Sequence, residues 1–183
     1  MDAEELLEKY ANGERKFRSA MLRGVELNGA DLSGIDLSGA NLTAAELNNV
    51  NLTGATLNNS NLTRASLKDA NLSKLLGASS ANLSYAELSN ANLSNANLSE
   101  ARLTRVNLSG ANLTLTDLSG ADLSRANLSR ANLSEANLFG TDLTLANFSD
   151  ADLTLANLSE ANLSEAKYNL GTSTMSHFRD MTI

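Results

Sequence analysis

The sequence predicts an all-β solenoid, a chain of short extended segments wound into stacked coils, and three observations carry that prediction. A large apolar residue recurs every five positions from Phe17 to Leu72 and again from Leu83 to Tyr168. Two positions before it stands Ala in 22 of the 30 cases, with Val25, Ile35 or Thr116 among the replacements. Pro is absent (Pro 0), as expected where backbone N–H groups must pair between layers.

The count of five excludes the ordinary alternatives. Five residues advance an α-helix by about 500°, so successive leucines would land roughly 140° apart and smear around every side. Asn, Ser, Thr and Gly are also weak helix formers. In a strand, residues two apart share a face, so each Ala–Leu pair points one way. Five is odd, and a straight strand would turn the next pair to the opposite face. The chain must therefore bend once per repeat to keep every pair inward. Repeated bending in one sense makes a coil, and stacked coils bury a ladder of Leu beside Ala. The composition agrees, with 4% aromatic residues and no Trp (Trp 0), because such a shaft takes small, uniform filling.

Within each repeat the central residue is Leu at 27 of the 30 positions, the others being Phe17, Phe148 and Tyr168. Asn or Asp usually precedes it and Ser or Thr usually follows. Glycine marks the corners: Gly24, Gly29, Gly34, Gly39, Gly54, Gly110, Gly120 and Gly140 all fall two residues after a centre. The motif is A(D/N)LXX, seen as Ala121-Asp122-Leu123-Ser124-Arg125, and residues 15 to 169 resemble the pentapeptide repeat family in holding it. That resemblance implies a right-handed quadrilateral β-helix with four repeats per coil. On it, 30 repeats make about seven and a half coils, a rod roughly 35 Å long at about 4.8 Å per layer.

Residues 1–14 are expected to form a capping helix and turn. Asp2 and Glu5 have capping-box spacing, Ala3, Leu6, Leu7 and Tyr10 fall toward one face, and Asn12-Gly13 can end the helix. Its expected role is to cover the open first coil. The helix followed by a Gly-x-x-x-Phe stretch, Gly13 to Phe17, is similar to cyanobacterial members of the family. Residues 15–169 form the repeat region, with a register break at 73–82 where one extra residue suggests a bulge. A tolerated insertion is favoured there over a functional loop. Residues 170–183 are a tail or cap, in which Met175, Phe178 and Met181 are spaced for a short helix. Gyrase-protecting members of the family pair through their C-terminal ends, so the resemblance allows a monomer or a weak homodimer through a terminal coil.

No enzymatic chemistry is legible. Cys is absent (Cys 0) and the single His, His177, lies outside the repeats. No metal-ligand spacing, phosphate-cradling loop or nucleophile–base set can be assembled, so no enzyme, no cofactor and no metal are expected. The N-terminal MDAEELLEKY is acidic and lacks an unbroken apolar run, so no signal peptide, membrane span or membrane partner is expected, and the cytoplasm is the expected compartment. The repeated Asn-Leu-Ser/Thr triplets match a glycosylation acceptor only as a by-product of the repeat.

The expected role is a non-catalytic protein–protein interaction or regulatory scaffold; the alternative is inhibition or protection of a DNA-processing enzyme such as gyrase by DNA mimicry. Duplex DNA carries about one negative charge per 1.7 Å, roughly 20 over this length. From Arg15 to Lys167 the chain has 15 acidic and 12 basic residues. The rod as a whole is thus far from duplex charge density, and nucleic acid itself is not an expected partner. Two surface groups are candidate partner sites. An acidic collar of Glu135, Asp142, Asp150, Asp152, Glu160 and Glu165 has no basic residue among it. A set of outward apolar residues, Leu115, Phe139 and Leu155, should lie near one corner.

Overall fold

The computed structural model of the protein describes residues 1–173. The expected tail helix over Met175, Phe178 and Met181 lies outside the described residues. Parallel bridges join residues twenty apart, as in Lys16 to Asp36, Asp36 to Thr56 and Asn97 to Asp117. Twenty residues are four repeats, so each coil has four walls. Wall 1 carries the centres Phe17, Leu37, Leu57 and onward; wall 2 begins at Leu22, wall 3 at Leu27 and wall 4 at Leu32. Wall 1 has eight layers between Lys16 and Asn157, which makes a rod of about 34 Å at roughly 4.8 Å per layer.

Each repeat is built the same way. The N–H of the centre donates to the layer above (Leu22 to Asn41, 2.8 Å), and the residue before the centre donates to the layer below (Asn41 to Ala20, 2.9 Å). A four-residue turn follows, closed by the bond from Val25 N to Leu22 O at 3.2 Å. Its third residue has positive φ, +64° at Gly24, the signature of a type II turn. Every non-glycine residue with positive φ among the described residues occupies this corner position.

The sequence order Asn-Leu-Ser/Thr has a local cause. The Asn or Asp side chain accepts from the residue two positions on: Thr43 N and Oγ1 reach Asn41 Oδ1 at 3.1 and 2.7 Å. The side chain thereby pins the turn, an Asx arrangement. Inside, leucines and alanines from Phe17 to Ala156 form one continuous buried cluster. Where Ser or Thr replaces Ala, the hydroxyl finds a carbonyl: Ser60 to Leu57 O (2.6 Å), Thr116 to Leu93 O (2.8 Å) and Thr141 to Leu118 O (2.9 Å). No buried side-chain polar atom among the described residues lacks a partner.

Helix α1, Ala3–Ala11, covers the first coil. Asp2 caps it by accepting from Glu5 N at 2.9 Å. The reciprocal half of a capping box is replaced, because the Glu5 carboxylate accepts from Lys9 Nζ at 2.7 Å. Gly13 N to Tyr10 O and Glu14 N to Lys9 O, both 3.0 Å, close the helix in a Schellman arrangement. Leu6 is fully buried on the coil, with Ala3 and Tyr10 packed beside it. Tyr10 also donates to Ser33 O at 2.7 Å. Leu7 departs from the sequence reading and is exposed, because it lies about 100° around the helix from the buried Leu6, at the rim of a narrow stripe.

The register break is a bulge. Gly77 bridges Thr56, and Ala78 takes the place of a central leucine, with Leu75 in the usual Ala position. The extra residue, Leu76, is pushed outward and is 77% exposed. The ladder continues beyond the last repeat read from the sequence: Ser173 bridges Asp152, again with one residue extra, and Leu170 points to solvent.

Candidate functional surfaces

A solenoid presents function on its walls and corners, and the structure places each candidate there. Asp142 lies on wall 2, between Asp122 and Asn162, while Asp152 lies on wall 4, next to Asn132. Asp150, Glu160 and Glu165 hold three different corners, all with φ near +60°. The acids therefore encircle the upper coils instead of forming a stripe.

They are not equivalent. Asp142 accepts from Thr144 N and Oγ1 at 2.9 and 2.6 Å, and Asp152 from Thr154 N and Oγ1 at the same distances. The Thr154 hydroxyl and N–H hold the Asp152 carboxyl below its ordinary range. Both carboxylates are turn pins. Asp150 accepts from Asn169 Nδ2 at 3.0 Å. Glu135, Glu160 and Glu165 extend from exposed corners, so within the collar these have most freedom to meet a partner.

The apolar set is exposed as the rhythm requires: Leu115 by 50%, Phe139 by 44% and Leu155 by 58%. Leu115, Glu135 and Leu155 stack on the corner leading into wall 1, linked by bonds from Leu115 N to Ser134 O and Glu135 N to Thr154 O. Phe139 stands at the far corner of the same wall. Leu76 belongs with them, just past Lys74, which holds the same corner two layers below Leu115. Spacing alone missed it, because counting in fives leaves residues 73–82 without an assigned facing.

A third surface was missed for the same reason. Arg64, Tyr85, Arg105 and Arg125 occupy successive layers of the corner between walls 2 and 3. The step from Arg64 to Tyr85 is twenty-one residues, which hides the alignment from a twenty-residue count. Among the described residues no group of His, Cys, Asp and Glu could hold a metal ion, and no helix is long and apolar enough to cross a membrane.

Four-walled coils, type II corners and an Asx-pinned Leu shaft define a β-helical solenoid. The family model for pentapeptide repeats matches in 8 copies over 16–39, 35–73, 81–120, 107–144 and 131–167. The chain belongs to the pentapeptide repeat family, and its coil is the family's right-handed quadrilateral β-helix.

Among solved structures it is similar to HetL, a pentapeptide repeat protein involved in heterocyst differentiation regulation from the cyanobacterium Nostoc sp. strain PCC 7120. Identity is 26% over 96% of this chain and 99% of that one, with a TM-score of 0.44. Full-length QnrB1, a plasmid-mediated fluoroquinolone resistance protein, is 20% identical over 85% of this chain and 90% of its own, with a TM-score of 0.52. Rfr23 from the cyanobacterium Cyanothece 51142 is 23% identical over 94% and 99%, with a TM-score of 0.28. No curated protein sequence matches the chain.

Proposed function

We propose that this protein is a non-catalytic scaffold that docks other proteins on the outside of its coil and works in the cytoplasm. The observation that carries this reading is where chemical variety sits. Inward positions hold Leu in 27 and Ala in 22 of the 30 repeats, whereas the outward corner position takes Gly, Asn, Arg, Glu, Asp, Lys, Tyr and Leu along one rod. A shaft filled with aliphatic side chains supports a surface and does not itself enclose a substrate.

Wall 1, with Leu115 and Leu155 at one corner and Phe139 at the other, is the proposed docking face. Affinity capture from the native cell with the wild-type chain and with Phe139→Ser tests it. Loss of a captured partner at unchanged thermal stability supports the wall, and identical capture by both overturns it.

The acidic collar favours a second reading, docking against a basic surface of a DNA-processing enzyme in place of DNA. Against it stands the rod's charge, 15 acidic against 12 basic residues from Arg15 to Lys167. A gyrase supercoiling assay separates the two. Inhibition at near-stoichiometric protein favours mimicry; full supercoiling at large excess dismisses it.

A further inference from the structure

We infer that the corner between walls 2 and 3 is a second docking surface, built to receive a carboxylate-rich protein segment. Arg64, Tyr85, Arg105 and Arg125 stand on four consecutive layers there, tied in order by bonds from Arg64 N to Ser84 O, Tyr85 N to Thr104 O and Arg105 N to Ser124 O. All four are exposed, and they span about 14 Å at the interlayer spacing. The corner carries no acid until Glu165, two layers beyond Arg125.

Three features distinguish this ridge from scattered surface arginine. First, the guanidinium groups are not spent on ion pairs: among the described residues the salt bridges are Lys9–Glu5 and Arg18–Asp36. Second, the nearby acids are engaged. Asp122 accepts from Ser124 N (2.9 Å) and Thr104 Oγ1 (2.7 Å), and Glu87 accepts from Asn107 Nδ2 (2.8 Å). Third, Tyr85 organises its neighbours. Arg64 and Arg105 lie over its ring at 5.9 and 5.6 Å, one from the layer below and one from the layer above.

That sandwich selects the partner. Cation–π contact holds the two long side chains beside one ring and reduces the rotamer entropy lost when a ligand is gripped. Planar guanidinium groups offer N–H edges suited to bidentate bonds with carboxylates. Arg64 and Arg105 already stand over the ring, so a nucleobase would compete with them for the stacking platform. Tyr and Arg are also the residues that concentrate binding energy in protein interfaces. The inference rests on the scaffold reading only in taking the outside of the coil as the working surface.

The test uses the full chain and fluorescein-labelled decaglutamate, with decathymidylate of matching charge as the competing probe, followed by fluorescence anisotropy. Decaglutamate should bind the wild type more tightly than decathymidylate, and added salt should weaken it. Arg64→Ala with Arg105→Ala should weaken binding about tenfold or more, and Tyr85→Leu by a smaller factor. Arg130→Ala, on a different corner, should leave it unchanged. Ala44 holds the same corner one layer below Arg64 at φ +55°, so alanine fits there, and circular dichroism melting checks the fold of each variant.

Tighter binding of decathymidylate, equal weakening by Arg130→Ala, undiminished binding by the double variant, or no binding of decaglutamate would each overturn the ridge. Those outcomes leave capture by wall 1 untouched, so the two readings fail separately.

Discussion

Two repeats stacked directly on each other on wall 1 differ in an instructive way. The lower is Ala55-Thr56-Leu57, in the regular motif. The upper, joined to it by the Thr56–Gly77 bridge, runs Leu75-Leu76-Gly77-Ala78. In the lower the small residue leads and the large one is central; in the upper the order is reversed. All four inward side chains are at most 3% exposed. At these two layers the wall thus takes one large and one small side chain in either order, while one layer lower it takes two large ones, Ile35 and Leu37. The surplus backbone residue is expelled as Leu76, whose N–H still reaches Ala55 O at 3.0 Å. The strain appears one bond further on, where Asn97 N to Leu75 O and Ser80 N to Ser99 O stretch to 3.4 Å.

The largest expected effect that sharpens this contrast is at the regular repeat. Leu57→Ala leaves two small residues facing one layer and should lower stability by about 2–5 kcal/mol in denaturant titration. Ala78→Leu at the inverted repeat sets a second large side chain beside Leu75 and should destabilise by about 1–3 kcal/mol. Combining it with Leu75→Ala should recover much of that loss; additive losses in the double-mutant cycle would break the volume-swap account.

Gly54→Ala, at the corner leading into the lower repeat, meets no atom within 4 Å but keeps φ at +67°. Its loss should be about 1–2 kcal/mol by thermal melting, all of it conformational.

Acid acts on the aspartate turn pins of the regular repeats. Burial pushes the Asp122 and Asp36 carboxyls up, but hydrogen bonds outweigh it, from Ser124 and Thr104 in one case and from Ser38 and Arg18 in the other. Asp152 is lowered chiefly by Thr154. Because the folded values lie below the unfolded one, their stabilisation is present above about pH 4 and is lost as pH falls through the folded values. The melting temperature should therefore drop on acidification below about pH 4, and Asp122→Asn should flatten that drop.

Deleting Leu76 should have the smallest effect, within about 0.5 kcal/mol, since Gly77 N can take over the bond to Ala55 O. A large loss would show that the bulge holds the coil together.

Much of the fold was legible because the odd period and the Ala–Leu pairing leave few ways to bury both side chains. Handedness and four repeats per coil were not in the spacing; they came with the resemblance and the ladder of bridges. Ala78 escaped notice as a centre because a leucine rhythm looks for size, while the wall accepts the large and small side chains in either order. Leu7 was misplaced because spacing places residues near a helix face without saying how wide the buried stripe is.

The exposed leucines and Phe139 could be read from position within the repeat. The arginine–tyrosine ridge could not, since its alignment passes through a coil that is twenty-one residues long. A count that lengthened the step to twenty-one between the Thr56–Gly77 and Asn71–Asn92 bridges would have found it.

Four-walled winding makes insertion length a rotary setting. Adding twenty residues would raise everything above by one step and leave each corner pointing where it did. Adding five would swing the whole upper rod by a quarter turn, so surfaces that had shared an edge would part. The single residue absorbed at Leu76 does neither, and the ridge and the leucine edge each keep one bearing along the rod.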